Sequence, residues 1–389
     1  MEVSRRSVLR FLAGLVVTQW SASRGSALSG RTAHKDGLKV IVLACGGVRR
    51  EETFAANGFA NIPHLSREIL LQSTFFPAIR NAGVTSHYNT TSSILTGNWQ
   101  RVDDWGKTRP ESPTIFEYAR KHLKMPQADT WFISSNKALT SQIGASSVRD
   151  YGQPYGANVV FPKQLLIDAV VNAASHGRSA HSANRIAMQP ELSAMLGASN
   201  YEGLGWSVEG DASVLGSDTR DSVLDAIEEL VRSNVPVTGD EFTFLVAKEI
   251  MRRFAPSLLV MSFSDVEVAH FGSYSMHLAG IRTTDRLVHE LWSEVQSNPD
   301  YRRKTTLFVL PEFGRDIDGS ATNGFFNHRL DNDSTRLTWM MCLGAAAQSG
   351  QVVERPVQHV DLCPTIAALF GLKTKMMTMH GTSLPEIHL

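Results

Sequence analysis

Short apolar segments alternate with longer amphipathic stretches along most of this chain. Residues 38–44 form a nearly continuous apolar run, as expected for a strand whose two faces are both covered. Similar segments predict further strands at 73–76, 130–134, 258–263, 305–310 and 337–343. Because strands that alternate with helices favour parallel pairing, the pattern predicts an α/β fold with a mostly parallel central sheet and helices on both faces.

Apolar spacing and capping residues predict the helices. A helix over 114–122 has Ser112 as its cap and Pro113 at its first position. A long helix over about 275–296 carries an apolar face, and a shorter one over 363–370 ends at Gly371. A further helix over 242–254 follows Asp240, which we expect to cap it. Each of these helices adjoins a predicted strand, as an alternating fold requires.

The segment from about 150 to 254 differs in composition from the rest of the chain. It is rich in Ser, Asn, Gly and Ala before helical spacing returns, with apolar residues from Val223 to Val231 on one face. We therefore expect one domain over 36–389, with an insertion or cap at about 150–254.

Residues 1–30 have the pattern of a twin-arginine export signal. Arg5 and Arg6 precede an apolar stretch at 11–17, and small residues that suit a cleavage site follow. The apolar stretch is shorter than the roughly 20 residues that span a bilayer, so we expect no transmembrane span in the mature chain. The pattern predicts export to the periplasm or the extracellular space, with an anchor or a cytoplasmic N-terminus as the alternative. Because this pathway carries folded proteins, it mildly favours a metal-binding cargo.

Charge balance and cysteine count exclude several classes of protein. The 389 residues include 38 Lys and Arg against 38 Asp and Glu, so no overall basic field favours a nucleic-acid partner. Cys45, Cys342 and Cys363 allow one disulfide at most, which is too few for a disulfide-stabilised scaffold. The composition is that of a globular protein and names no function or oligomeric state.

The polar residues that carry chemistry lie next to predicted strands. Asp265 and His270 follow the strand that ends at 263, Glu312 follows the strand that ends at 310, and His328 precedes the strand at 337. Carboxylates and imidazoles that converge at strand ends are able to hold a divalent metal, which polarises a phosphoryl or sulfuryl oxygen. Taken singly, a residue of this kind next to a strand is usually a turn or cap residue, and only their occurrence together at three strand ends favours a site.

A run of hydroxyl side chains at 85–97 leads into a predicted helix. Thr85 and Ser86 lie at its start, beside His87. A Ser or Thr at a helix N-terminus is able to serve as a cap or as a nucleophile, and the free N–H groups there attract anions.

The order of these motifs resembles the alkaline phosphatase superfamily, which includes sulfatases, nucleotide pyrophosphatases and cofactor-independent phosphoglycerate mutases. The resemblance covers roughly residues 38–375. Its most specific part is the stretch from Asp361 through Pro364-Thr365 to Gly371. The other matching stretches are Asn61-Ile62-Pro63-His64-Leu65, Leu95-Thr96-Gly97, Asp265 to His270, and Glu312-Phe313-Gly314-Arg315. The export-signal pattern at 1–30, together with the Glu312-Phe313-Gly314-Arg315 turn, also resembles an exported bacterial branch of this superfamily, the DUF1501-like proteins.

The resemblance implies one metal site and leaves the second incomplete. Asp265, His270 and His328 stand where the superfamily has the Asp, His and His of its first zinc site. Because His270 stands five positions after Asp265, where the superfamily usually has four, Glu267 is the alternative ligand if the loop is bulged.

At the second site the resemblance expects an Asp where Cys45 stands, and an Asp-His pair where Glu312-Phe313 stands. His87 occupies the nucleophile position, with Thr85 and Ser86 beside it. The chain has no Cys-x-Pro-x-Arg motif, which argues against a formylglycine sulfatase.

These features together predict an exported hydrolase of phosphate or sulfate esters with a reduced or altered metal site. One divalent metal, zinc, would be held by Asp265, His270 and His328. Ser86 or Thr85 would attack or orient water, and Glu312 and Cys45 would complete the pocket. The expected substrate is a small-molecule, glycan or lipid ester. The alternative is a non-catalytic binding or scaffold protein of the cell envelope that keeps the same fold.

Overall fold

The structure, a computed structural model, describes residues 37–163, 238–373 and 378–389. The predicted export signal at 1–30 and the apolar helix face from 223 to 231 lie outside the described residues.

A mixed sheet of nine described strands forms the centre of the fold. In chain order the strands are β1 Lys39–Ala44, β2 Ser73–Arg80, β3 Thr130–Ser134, β4 Asn158–Val160, β5 Leu258–Ser262, β6 Thr305–Leu310, β7 Leu337–Gly344, β8 Gln351–Val352 and β9 Val357–Gln358. Their order across the sheet is β4-β3-β5-β1-β6-β7-β2-β8, and β9 also pairs with β2. β7 runs antiparallel to both β6 and β2, and the other described pairs are parallel. The predicted mostly parallel α/β sheet is confirmed.

The central position of β1 in the sheet explains why its sequence is almost wholly apolar. It pairs with β5 on one side and β6 on the other, so that Val42 lies beside Val260 and Phe308. Ile41 and Leu43 pack into the core on one face of the sheet, whereas Val40 and Val42 pack into the core on the other. Helices cover both faces, and a strand in this position has no solvent side to carry polar residues.

Seven α-helices in the described residues surround the sheet. They are α1 His87–Thr96, α2 Ile115–His122, α3 Lys137–Gln142, α4 Gly239–Phe254, α5 Tyr274–Ser297, α6 Asp333–Arg336 and α7 Leu362–Leu369. The predicted helices 114–122, 242–254, 275–296 and 363–370 correspond to α2, α4, α5 and α7. None of the helices described is both long enough and apolar enough to cross a bilayer.

The helix caps differ from those predicted. α2 begins after Thr114, which forms a capping box with Glu117, rather than after Ser112. α4 begins after Thr238, which forms a capping box with Glu241, so Asp240 lies inside the first turn. In both cases a Thr followed three residues later by a Glu satisfies two free N–H groups at once, which a lone Ser or Asp cannot do.

Of the segment predicted as an insertion, the structure describes the two ends, 150–163 and 238–254, and both ends pack with the central sheet. β4 extends the sheet beside β3, and Phe242, Val246 and Ile250 of α4 lie in the core. Residues 164–237, between these ends, lie outside the described residues.

All three cysteines are buried as free thiols. Burial raises the pKa of the Cys342 and Cys363 thiols above their usual value. A thiol that stays protonated is a poor nucleophile and a poor metal ligand, so these two cysteines serve as small core residues.

Candidate metal site

Four side chains converge beyond the carboxyl ends of the central strands. Glu267 and His270 follow β5, His87 begins α1, and His328 lies between β6 and β7. One ligand atom from each lies within 4.8 Å of those of the other three. The Nε2 atoms of His270 and His328 are 3.1 Å apart. The Oε2 atom of Glu267 is 3.2 Å from the Nε2 atoms of both His87 and His270.

A 3₁₀ helix, Asp265–Phe271, brings Glu267 and His270 together. This helix follows β5 and ends at Gly272, whose φ of 77° lies in the left-handed region. Since a 3₁₀ helix has three residues per turn, side chains three positions apart point the same way. Glu267 and His270 therefore share one face of the helix.

Asp265 lies outside the cluster. Its Oδ2 accepts the N–H of Asp240 at 3.0 Å, and its own N–H donates to Asp240 Oδ2 at 3.0 Å. Burial raises the pKa of both carboxyls. Lys163 lies near the pair, and burial lowers the pKa of its amine to about 8. Of the two carboxylates that the sequence offers after β5, the structure places Glu267 in the cluster and engages Asp265 with the start of α4.

Backbone contacts fix the orientation of His328. Its Nδ1 donates to the carbonyl oxygen of Thr85 at 2.6 Å, and the Thr85 hydroxyl donates to the carbonyl oxygen of His328 at 2.6 Å. Because a carbonyl only accepts, the Nε2 atom keeps its lone pair for the cluster. Burial and the nearby His87 hold the pKa of His328 well below its usual value. Thr85, a predicted nucleophile, is thus engaged in holding His328.

A buried carboxylate fixes His87 in the same way. The Nδ1 atom of His87 lies 2.5 Å from Oε2 of Glu312, and Oε1 of Glu312 accepts from the hydroxyl of Thr91 at 2.9 Å. Glu312 also accepts from Ser262 at 3.3 Å. A carboxylate behind an imidazole is the usual support of a histidine that binds a metal. Glu312, a predicted ligand, therefore lies behind His87, and His87 itself faces the cluster.

The other two predicted residues, Ser86 and Cys45, lie outside the four. The Ser86 hydroxyl accepts from the Asn89 side chain at 3.0 Å, and its carbonyl accepts the N–H of Thr90 at 2.8 Å, which starts α1. Cys45 is buried directly after β1, and burial together with Glu312 raises the pKa of its thiol well above the usual value. A protonated thiol is a poor zinc ligand.

Arg315 supplies the counter-charge of the site. Its guanidinium is fully buried and donates to Glu267 Oε2, to the carbonyl of Gly47 at 2.8 Å and to that of Phe325 at 3.2 Å. Gly47 N–H donates to Glu267 Oε1 at 2.7 Å. Burial opposes ionisation of Glu267, but Arg315 and His87 hold the pKa of its carboxyl well below its usual range. The sequence shows Arg315 only as part of the Glu312-Phe313-Gly314-Arg315 stretch, and no local motif there reveals its pairing with Glu267.

Phe313 closes one side of the cluster where the resemblance expects a histidine ligand. Its ring centroid lies 4.3 Å from that of His328 and 4.9 Å from that of His87. A Cβ at Gly47 would lie 2.7 Å from this ring, and one at Gly46, whose φ is +62°, would lie 2.7 Å from Glu267 Oε1. Glycine is therefore required at both positions, so that the β1 turn can approach the site.

The loop that carries His328 is anchored by Asp316. Its carboxylate accepts the N–H of Leu330 at 2.8 Å and the hydroxyl of Thr335 at 2.9 Å, and it also accepts from Thr322. The N–H of Asp316 donates to the carbonyl of Asn327 at 2.9 Å. The position of His328 is thus set from both ends of its loop.

The donor set and its spacing fit a first-row divalent cation. Three imidazoles and one carboxylate are ligands that zinc accepts. Ligand atoms at about 2.0–2.2 Å from a tetrahedral zinc lie about 3.3–3.6 Å from one another. Three of the separations here, 3.1, 3.2 and 3.2 Å, are near those values, and the other pairs of ligand atoms lie within 4.8 Å. The residues present therefore fit one such ion.

His277 lies behind the 3₁₀ helix and gives folding a specific pH dependence. Its Nδ1 lies 2.8 Å from the carbonyl of Val266, and burial lowers the pKa of the ring to about 4. The unfolded chain takes up the proton near pH 6.5, whereas the folded chain does so only near pH 4. Stability is therefore lost as pH falls through this window, by about 2 kcal/mol between pH 7 and pH 5.

The variant His277→Asn is expected to lose this component of the pH dependence. Denaturant unfolding at pH 7 and pH 5 gives the change in the free energy of unfolding for the wild type and for the variant. The contribution of His277 is the difference between these two changes. Equal losses in both proteins would contradict the assignment to His277.

Neither a protein-family model nor a curated protein sequence matches this chain. Among solved structures, a candidate sulfatase from Bacteroides thetaiotaomicron matches with a TM-score of 0.53 at 11% identity, covering 90% of this chain and 74% of that one. A protein in the alkaline phosphatase superfamily from Vibrio parahaemolyticus matches with a TM-score of 0.52 at 12% identity, covering 86% and 67%.

A phosphonate monoester hydrolase from Silicibacter pomeroyi matches with a TM-score of 0.50 at 16% identity, covering 89% of this chain and 76% of that one. At such low identities the likeness establishes the fold alone. The chain has the fold of alkaline-phosphatase-like sulfatases, as its sequence predicts.

Proposed function

We propose that this chain is an exported, metal-dependent hydrolase of phosphate or sulfate esters that works with a single, altered metal site. The observation that carries the proposal is the convergence of His87, Glu267, His270 and His328 at the strand ends. The fold shared with sulfatases and a phosphonate monoester hydrolase supports the class of substrate. The pattern at 1–30 supports export by the twin-arginine pathway.

In this proposal the three histidines and Glu267 hold one divalent cation, zinc. The cation would supply Lewis-acid polarisation of a phosphoryl or sulfuryl oxygen. Glu312 orients His87, and the Thr85 carbonyl orients His328, so that both rings present Nε2. Arg315 offsets the charge of Glu267, which lessens the repulsion that an ester anion would meet.

The attacking group is water or the Ser86 hydroxyl. Ser86 precedes α1 and is partly exposed, whereas the Thr85 hydroxyl is bonded to His328. His87 stands at the position where the resemblance expects a nucleophile, and we propose it as a ligand instead, because its Nε2 atom lies 3.2 Å from Glu267 Oε2. We propose a small-molecule, glycan or lipid ester as the substrate.

One observation favours a second candidate, a non-catalytic binding or scaffold protein of the cell envelope. Four protein donors around one point complete a tetrahedral zinc site, and closed sites of this kind are typical of structural zinc. A hydrolase requires that one donor leave or that the coordination expand. Glu267 would be the donor to leave, because its carboxylate already has partners in Arg315 and Gly47.

The test combines metal content with hydrolysis. Full-length protein is stripped with a chelator, reloaded with zinc and compared with His328→Ala; we expect the variant to bind one equivalent less. The loaded wild type should hydrolyse at least one of an aryl phosphate, an aryl phosphonate monoester and an aryl sulfate, and lose at least about 10-fold in rate on chelation or in His328→Ala.

His122→Ala is the matched control, because His122 is exposed, and among the described residues its ring hydrogen-bonds to Tyr151 and stacks near Tyr118. This variant should keep the zinc content and the hydrolysis rate of the wild type. Zinc loss in His328→Ala without any hydrolysis by the wild type would favour the scaffold. Equal zinc in the two proteins would contradict the site itself.

A further inference from the structure

Two histidines and a glutamate also meet outside the first site. His64 and Glu68 lie four positions apart, in and just before a π-helical turn, Leu65–Ile69, and His289 lies on α5. The ligand atoms of the three lie within 4.8 Å of one another. Glu68 Oε1 is 3.4 Å from His64 Nδ1, and Glu68 Oε2 is 3.2 Å from His289 Nε2. The two imidazole rings stack with centroids 4.3 Å apart.

Asp285 fixes these two segments relative to each other. It lies one helical turn before His289, and its carboxylate accepts the N–H of His64 at 3.1 Å and that of Leu65 at 2.7 Å. Nearby, Arg282 of α5 donates to the Asn61 side chain at 2.8 Å. The backbones that carry the three side chains are therefore held in register by contacts that do not involve those side chains.

The Nδ1 atom of His64 lacks a normal partner. It is excluded from solvent and makes no hydrogen bond within the described residues, and Glu68 at 3.4 Å is too distant for a good one. A cation between His64, Glu68 and His289 would satisfy this nitrogen. The side chains of His64, His289 and Glu68 are 33%, 36% and 56% exposed, so the cluster as a whole borders solvent although His64 Nδ1 faces inward.

We propose that His64, Glu68 and His289 form a second, independent site for a divalent transition-metal ion such as zinc. Two imidazole nitrogens and one carboxylate are three ligands that zinc, nickel and copper accept, and water completes the coordination. An ion there joins the turn before β2 to α5 and stabilises the folded chain by binding it in preference to the unfolded one.

The two sites are separable by mutation. They share no residue. The helix α5 begins at Tyr274, shortly after the 3₁₀ helix Asp265–Phe271 that carries two residues of the first site. His289 lies fifteen residues farther along α5, which is about 22 Å of helix. A full-length variant with His270→Ala and His328→Ala disables the first site and leaves the second intact. Zinc binding to this variant is therefore a readout of the second site that does not depend on the proposed hydrolase activity.

The experiment is a calorimetric zinc titration of that double variant, alone and with His289→Ala added. We expect the double variant to bind one equivalent of zinc and the variant with His289→Ala added to bind none. A control variant with His122→Ala added instead should still bind one equivalent. Zinc should also raise the melting temperature of the double variant and leave that of the triple variant unchanged. Melting of all proteins without metal checks that each is folded. No zinc bound by the double variant, or the same binding after His289→Ala, would overturn the proposal.

Discussion

Replacing Glu267 with alanine is expected to lower the free energy of unfolding by about 3–5 kcal/mol. The change leaves the fully buried guanidinium of Arg315 without its counter-charge and the N–H of Gly47 without its acceptor. A buried charge that has lost its partner has no water to replace it, so the whole desolvation cost falls on the folded state. Denaturant unfolding of metal-free protein at pH 7 measures the loss.

Glu249→Ala is the matched control for this experiment. Glu249 also pairs with arginines, Arg252 and Arg253, but these are 41% and 13% exposed, so that water can take the place of the lost carboxylate, as it cannot at Arg315. Its removal should cost about 1 kcal/mol or less. Adding Arg315→Met to Glu267→Ala should recover part of the loss, because no lone charge remains. A Glu267→Ala loss no greater than that of Glu249→Ala would refute the pairing as a stabilising feature.

The second large effect is expected for zinc affinity. His87→Ala should weaken zinc binding at the first site by more than about 100-fold, since even the partners behind a ligand are worth about 10–100-fold. The variant removes an Nε2 donor and leaves Glu312 without the ring it orients. Competition with a chromophoric chelator, in protein that also carries His289→Ala, measures the affinity of this site alone.

His87→Ser separates two roles of this residue. If His87 is a ligand, the serine variant binds zinc as poorly as the alanine variant. If His87 instead acts on the substrate, both variants keep wild-type affinity and lose only rate. His122→Ala again provides the control, with no change in either quantity expected.

The sheet could be predicted from the sequence because its central strands are apolar on both faces. β1 and β6 have six buried residues each, most of them apolar, as expected for a strand that is covered on both faces. The helix caps were harder to predict, since Ser112 and Asp240 are good caps in isolation. Thr114 and Thr238 prevail because each has a glutamate three residues later.

Within the first site, the sequence identified His270 and His328 and left the carboxylate open between Asp265 and Glu267. The choice depends on where the 3₁₀ helix begins and on what faces it. Asp240 at the start of α4 engages Asp265, and Arg315 holds Glu267 in the site. Both partners come from distant parts of the chain, so no local spacing could reveal them. The same holds for His64 and His289, which only the packing of a turn on α5 brings together.

The anchoring of the His328 loop by Asp316 affects how the first site takes up its ion. Asp316 holds the loop through Leu330, Thr335 and Thr322, so that its shape does not depend on a cation. The entropy of ordering the loop is then lost when the chain folds and not when the ion arrives. An ion that finds its donors already in place binds more tightly for the same set of bonds. The affinity of the pocket is in this sense decided partly by a carboxylate that never touches the ion.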